Sequence, residues 1–178
     1  QHGGVLVRED VLLPVEAESG DSWRVVEVKA STRVKPEHIH DCAVQAWVHM
    51  GAGYPLESIS LAHINNQFVY EGNGNYAGLF SEHDLTGRVM DLQPAVPIWV
   101  EQAKDAVSGA MPEVPVGQHC NQPYECPFID FCWPNDTRYP IAGLGGSKKK
   151  LGVWVMDGYC DICDVPSWEI TAENQLRV

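Results

Sequence analysis

The stretch Trp23-Arg-Val-Val-Glu-Val-Lys29 constrains the fold of this chain most. Its alternation predicts a β-strand, with Trp23, Val25 and Glu27 on one face and Arg24, Val26 and Val28 on the other. The same period of two puts Glu27 and Lys29 on one face at the strand's end. That face is the one a following helix should cover. Residues 4–14 predict a partner strand, and the turn-like Glu16-Ala-Glu-Ser-Gly-Asp21 would join the two as a hairpin. The hairpin brings Asp10 within reach of Glu27 and Lys29, although alternation lets only one of Glu9 and Asp10 face Glu27. Two carboxylates and a lysine at strand ends suit metal-dependent hydrolysis of a phosphodiester. The carboxylates of Asp10 and Glu27 are hard oxygen ligands for Mg²⁺ or Mn²⁺. The lysine can orient water or stabilise charge developing on the phosphate.

The 178-residue length fits one domain with a short appendage, and 44% hydrophobic residues suffice for a core. No run resembles a signal peptide or a membrane span, so a cytoplasmic protein without a membrane partner is expected. The first residue is Gln1, not methionine, which predicts a fragment of a longer chain. The formal net charge of -12 argues against a broad, non-specific nucleic-acid surface. A nuclease remains compatible with it, because metal neutralises the site's carboxylates and a substrate channel can be locally positive.

Ser31 to Pro36 reads as a loop, with Pro36 near a helix start. A helix is predicted from Glu37 to about Met50, ending at Gly51 or Gly53, with an apolar face of Ile39, Ala43, Ala46, Trp47 and Met50. Asp41, Gln45 and His49 recur at helical spacing. Asp41 reads as a surface or capping residue. His38 and His49 read as satisfied histidines bordering a cleft. Ser58 to Ile64 alternates and predicts a third strand; Asn65-Asn66 predicts a turn, and Gln67 to Tyr70 a short fourth strand. Phe80 and Leu85 read as docking residues. Asp84 could cap a helix running to Gln93, and Pro97 to Val107 predicts another. Residues 1–109 therefore form the expected core.

Past Gly109 the composition changes, and Met111 to Gly117 reads as a linker. Residues 110–134 carry Cys120, Cys126 and Cys132, evenly spaced among prolines and aromatics. Three thiolates in an irregular segment suit a metal cluster, and their sulfurs are expected to converge. A fourth ligand could be His119, Cys160, Cys163 or a cysteine outside this chain, giving zinc or a 4Fe–4S cluster. Cys160 and Cys163 read more simply as small buried side chains. Lys148 to Lys150 reads as a solvated turn, with a minor nucleic-acid contact as the sharper option. Residues 135–178 form a C-terminal extension that ends in a polar helix or tail from Thr171.

Asp10, then Glu27-Val28-Lys29, then Gln45 on the next helix resemble the PD-(D/E)xK core of RecB-like nucleases. The cysteine group resembles that family's iron–sulfur branch. Glu27 to Thr32, Asp41 to Gln45, His63 to Asn66, Gly117 to Cys120, Pro123 to Cys126 and Gly158 to Pro166 resemble a group of uncharacterised bacterial proteins. In that group such a domain precedes an RNase H-like exonuclease domain. The resemblance covers nearly the whole chain. It implies an α/β (α+β) restriction-endonuclease-like core, a mixed sheet flanked by helices, with a Cys-rich C-terminal segment. It also implies that Asp10 and Glu27 bind Mg²⁺ or Mn²⁺, that Lys29 is catalytic, and that Gln45 organises the site or contacts DNA. It selects Asp10 over Glu9. It assigns Cys120, Cys126 and Cys132 to a 4Fe–4S cluster whose fourth cysteine lies upstream, with Zn²⁺ as the alternative. The family's tyrosine four residues after the glutamine is replaced here by His49.

Three functions follow as expectations. The first is a metal-dependent nuclease domain acting on DNA, at single strands or ends, within a polypeptide that also holds an upstream segment and the exonuclease-like domain. The second is a catalytically weak or inactive nucleic-acid-binding or scaffold module. The third is a zinc-stabilised interaction domain.

Overall fold

The computed structural model describes residues 1–17, 20–145 and 147–170. It divides into two units, residues 1–110 and 111–178. The tail expected from Thr171 lies outside the described residues.

The first unit is built on a four-stranded mixed sheet of order β1-β2-β3-β4. The strands are β1 (Val11–Ala17), β2 (Gly20–Lys29), β3 (Leu56–Ile64) and β4 (Phe80–Asp84). β1 and β2 form the expected hairpin, and their ladder extends into residues read as turn, down to Ala17 opposite Gly20. β2 and β3 are parallel, so the chain must cross over between them, and helix α1 (Pro36–Gly51) makes that crossing. β3 and β4 are antiparallel. Helices α2 (Thr86–Leu92) and α3 (Val96–Ser108) follow.

α1 forms where its periodicity places it. Pro36 occupies the first turn, where a missing N–H costs nothing, and Ile39, Cys42, Ala43 and Ala46 make a buried stripe. That stripe packs on Val25, Ile59 and Leu61 of the sheet, with Leu85, Val89, Val96 and Val100 from the later helices completing one core. The helix ends at Gly51, where an added Cβ would lie 2.2 Å from the His2 ring. Asp84 accepts a hydrogen bond from the Thr86 N–H at the start of α2 (2.8 Å).

The opposite face of the sheet carries an ion pair between Arg24 on β2 and Glu82 on β4, which reaches across β3 beside buried Ser60. β1 is one edge of the sheet. Pro14 fits there because its rung exchanges no ladder hydrogen bonds. Its partner Trp23 donates its N–H the other way, to Pro55 C=O (2.9 Å), so the Pro14 nitrogen faces the open edge.

Three sequence expectations are corrected. The first strand begins at Val11, not at residue 4, because Gly3 and Gly4 adopt φ of 55° and 82° and a His2–Val5 bridge turns the chain first. Gln67 to Tyr70 is loop, and Phe80–Asp84 takes the fourth position. Asn65 dictates this, since its side chain accepts from the Gln67 N–H and donates to Gly78 C=O, closing residues 65–79 as a loop. Lys148 to Lys150 opens a helix that runs to Met156 instead of forming a solvated turn.

The second unit has little regular structure: α4 (Ile129–Cys132), α5 (Lys148–Met156) and single 3-10 turns at Gln118–Cys120, Ile141–Gly143 and Ile162–Asp164. Its core joins Val116, Cys120 and Trp133 to Ile141, Leu144, Leu151, Trp154 and Val165, so residues from both sides of position 134 share one interior. Lys148 lies over the Trp133 ring and Lys150 over the Trp154 ring. Gly152 is required by close approach, since a Cβ there would sit 2.6 Å from Val116 O. Among the described residues, no helix is long and apolar enough to cross a membrane.

Candidate active site

Glu27 is 5% exposed, on the β2 face that α1 covers. A carboxylate cannot stay there without partners. Gln45 of α1 donates to its Oε2 (2.7 Å), and the Lys29 ammonium donates to its Oε1 (2.5 Å). Lys29 is also paired with Asp41, one helical turn before Gln45. β2 thus supplies Glu27 and Lys29 two residues apart, and α1 supplies Asp41 and Gln45 four apart. The two spacings match one shared face.

The charge state of this cluster follows from its contacts. Burial alone would lower the Lys29 pKa, but hydrogen bonds and charge from Asp41 and Glu27 outweigh it and hold the ammonium above its ordinary range. Lys29 is a fixed cation, not a base. Burial, reinforced by the Glu27 and Asp41 charges, pushes the Cys42 thiol up to about 12. Cys42 is therefore a neutral core side chain. Burial lowers the His38 pKa.

Asp10 sits at the end of this group. The β1–β2 ladder stops at Val11 opposite Val26, and Asp10 accepts the next free amide, Val28 N–H, at 2.9 Å. Its carboxylate therefore meets the backbone between Glu27 and Lys29. Glu9 takes a different partner, His49 Nδ1 at 2.7 Å, where the histidine side chain is 2% exposed. Gln45 Oε1 and His49 Nε2, on the same helix four residues apart, are buried without hydrogen-bond partners.

The structure brings Glu27, Lys29 and Gln45 into direct contact and Asp10 to their backbone. Sequence reasoning missed Asp41, which it placed on the helix surface. The signal was its spacing, four residues before Gln45 on the same helix face.

A divalent cation at Asp10 and Glu27 can be weighed on donor chemistry. Both residues offer hard oxygens, and Mg²⁺ is commonly held by one or two carboxylates with water completing its shell. One oxygen of Asp10 has no hydrogen bond among the described residues, while both oxygens of Glu27 already accept from Lys29 and Gln45, so a cation there would have to displace one of those donors. The three cysteines expected to share a cluster differ in burial. Cys120 is buried in the second core, Cys126 is half-buried and Cys132 is exposed, and all are free. Among the described residues, no three or more His, Cys, Asp or Glu side chains are grouped to hold a metal, so the expected convergence is corrected. Cys120 instead accepts from Gly117 N–H and packs against apolar neighbours. Cys160 is half-buried and Cys163 exposed, so they are not the small buried side chains expected.

Comparison with protein-family models, curated proteins and solved structures returns no match to this chain.

Proposed function

We propose that residues 1–110 form a metal-dependent nuclease unit that hydrolyses phosphodiester bonds in DNA, with a PD-(D/E)xK-like site. The observation that carries this reading is the Lys29 ammonium, anchored between Glu27 and Asp41 at the end of β2. A bound Mg²⁺ or Mn²⁺ supplies Lewis acidity towards the phosphate and lowers the pKa of water. Asp10 and Glu27 are the residues that would hold it. Lys29 places positive charge where the phosphorane-like transition state gains negative charge, and it can orient the attacking water. Gln45 fixes the Glu27 carboxylate by donating to one oxygen. Asp41 fixes Lys29 from the helix side. Preorganisation of this kind avoids rearrangement during the reaction.

The test is cleavage of single-stranded or end-containing DNA by the full-length protein with Mg²⁺ or Mn²⁺. Lys29→Ala should lower the rate by about 10²–10³, the usual cost of deleting one transition-state charge contact, while Mn²⁺ binding by calorimetry persists. Asp10→Ala and Glu27→Ala should lose both. Undiminished cleavage by Lys29→Ala removes this mechanism. A second reading, a non-catalytic nucleic-acid-binding module, is favoured by one observation. Both Glu27 oxygens already hold donors, Lys29 and Gln45. Metal binding without cleavage in the parental protein would select it.

A further inference from the structure

Beyond Lys29 the first unit opens into a cleft of about 530 Å³ that nothing above uses. Its position follows from the ladder. His63 on β3 is the register partner of Lys29, and Thr32 and Arg33 continue the chain out of β2. His63 is buried, with 7% exposure, and His83 from β4 is exposed at the rim. Their rings stack at 4.9 Å and their Nε2 atoms lie 3.0 Å apart. His63 Nδ1 is 3.0 Å from Ile64 C=O and must donate to it, since a carbonyl only accepts. With Nδ1 protonated, a neutral His63 presents its Nε2 lone pair to His83, so His83 carries its proton on Nε2. The outer nitrogen, His83 Nδ1, remains for a ligand.

Two arginines line the same cleft, Arg33 and Arg88. The ion pairs among the described residues use Arg24, Lys29, Lys35, Lys104 and His49, so neither arginine has a carboxylate partner among the described residues. The chain has only 12 Lys and Arg against 24 Asp and Glu, which makes two unpaired guanidiniums on one cleft a local reversal of its charge. The one acid in the lining is Asp84, whose Oδ1 already accepts from Thr86 N–H. Arginine forks match phosphate oxygens in pairs, and an imidazole adds a further donor once protonated.

We infer that this cleft is a phosphate-monoester subsite, formed by Arg33, Arg88 and the His63–His83 pair, which seats the terminal phosphate of a nucleic-acid strand. The identity of the strand rests on the nuclease reading; the affinity for a phosphate monoester does not. Two arginine forks can together offer four paired N–H donors; a monoester presents three terminal oxygens and a diester two, which favours a terminal group over an internal one. A terminal phosphate held beside His63, on the same ladder rung as Lys29, would make the unit count from a strand end.

The experiment measures binding, in EDTA so that no cleavage occurs, to three probes: inorganic phosphate, and one DNA oligonucleotide carrying either a 5′-phosphate or a 5′-hydroxyl. Full-length protein should bind the phosphorylated strand about tenfold more tightly than the hydroxyl strand, the worth of one charge-assisted contact. Inorganic phosphate should compete that difference away and shift the His63 and His83 imidazole resonances. The exposed double variant Arg33→Ala/Arg88→Ala should bind both strands equally, and His83→Gln should retain only part of the preference. Equal binding of the two strands by the parental protein, with imidazole resonances unmoved by phosphate, overturns the strand subsite and the phosphate site together. A phosphate effect on the resonances without strand preference overturns the strand assignment alone. Lys29→Ala should keep the ratio between the phosphorylated and hydroxyl strands, whatever it does to the affinity they share, so loss of the nuclease mechanism and loss of this subsite read out separately.

Discussion

The two units solve the problem of a small interior in different ways. In residues 1–110 the backbone groups are paired by a sheet and a long helix, and the side chains are free for other tasks. That scaffold carries a buried carboxylate, an ammonium and an amide as a connected network. The described residues of the second unit satisfy their backbone through short turns and helix α5, and the core depends on a few large side chains, Trp133, Leu151 and Trp154 among them. No comparable charged network is among its described ion pairs. A regular scaffold can hold expensive polar groups in place; an irregular one spends its side chains on holding itself together.

Thiol chemistry should give the widest contrast between the units. Cys42, buried and pushed up to about 12, is almost entirely protonated at pH 8, whereas Cys132 is exposed. Alkylation followed by peptide mass analysis should label Cys132 more than about 10³-fold faster than Cys42, because only thiolate reacts. Comparable rates would show that the core around α1 opens readily.

Next in size is Trp154→Ala in the second unit. The side chain is 2% exposed beneath the Lys150 cation, and its loss should cost about 3–5 kcal/mol in urea unfolding. A cost below about 1 kcal/mol would mean that this core does not depend on its large side chains, and the contrast above would fail.

Gln45→Ala probes the polar network itself. It leaves a buried Glu27 oxygen without a donor and should cost about 1–3 kcal/mol. Gln45→Glu should be worse, because it sets two carboxylates against each other. A neutral result would show that water or Lys29 alone satisfies Glu27.

The smallest effect belongs to Arg24→Ala. The Arg24 hydrogen bond holds the Glu82 carboxyl below its usual range. A depressed folded pKa gives stability that is present above the unfolded value, about 4.3, and lost as pH falls through the folded one. Arg24→Ala should remove that acid-side slope and cost under about 1 kcal/mol at neutral pH, since both side chains are 38% exposed. An unchanged acid limb in the variant would assign the slope to other carboxylates.

What the sequence disclosed follows the same division. α1 was legible because Pro36, the apolar stripe and Gly51 all act locally. The β2 face was legible because period two is rigid, and it gave Glu27 beside Lys29. Asp41 was not, because a charged residue on a helix reads as solvated until the strand it faces is known. β4 was misplaced because edge pairing depends on how the Asn65 loop closes, and Gln67 to Tyr70 has the same local pattern. The second unit was least legible. Its turns have no period, so the even spacing of Cys120, Cys126 and Cys132 suggested a shared ligand, whereas the fold packs Cys120 and Cys126 at one core and leaves Cys132 exposed.

Pro14 carries a consequence for the behaviour of many copies together. β1 is an edge strand with Val11, Leu12 and Leu13 each about 40% exposed, an attractive template for a strand from another molecule. A strand laid against it would find no N–H at position 14, in the middle of the seven-residue edge. The greasy rim of the sheet therefore comes with its own interruption, and it is at Pro14 that seeding of aggregates by this molecule is held back.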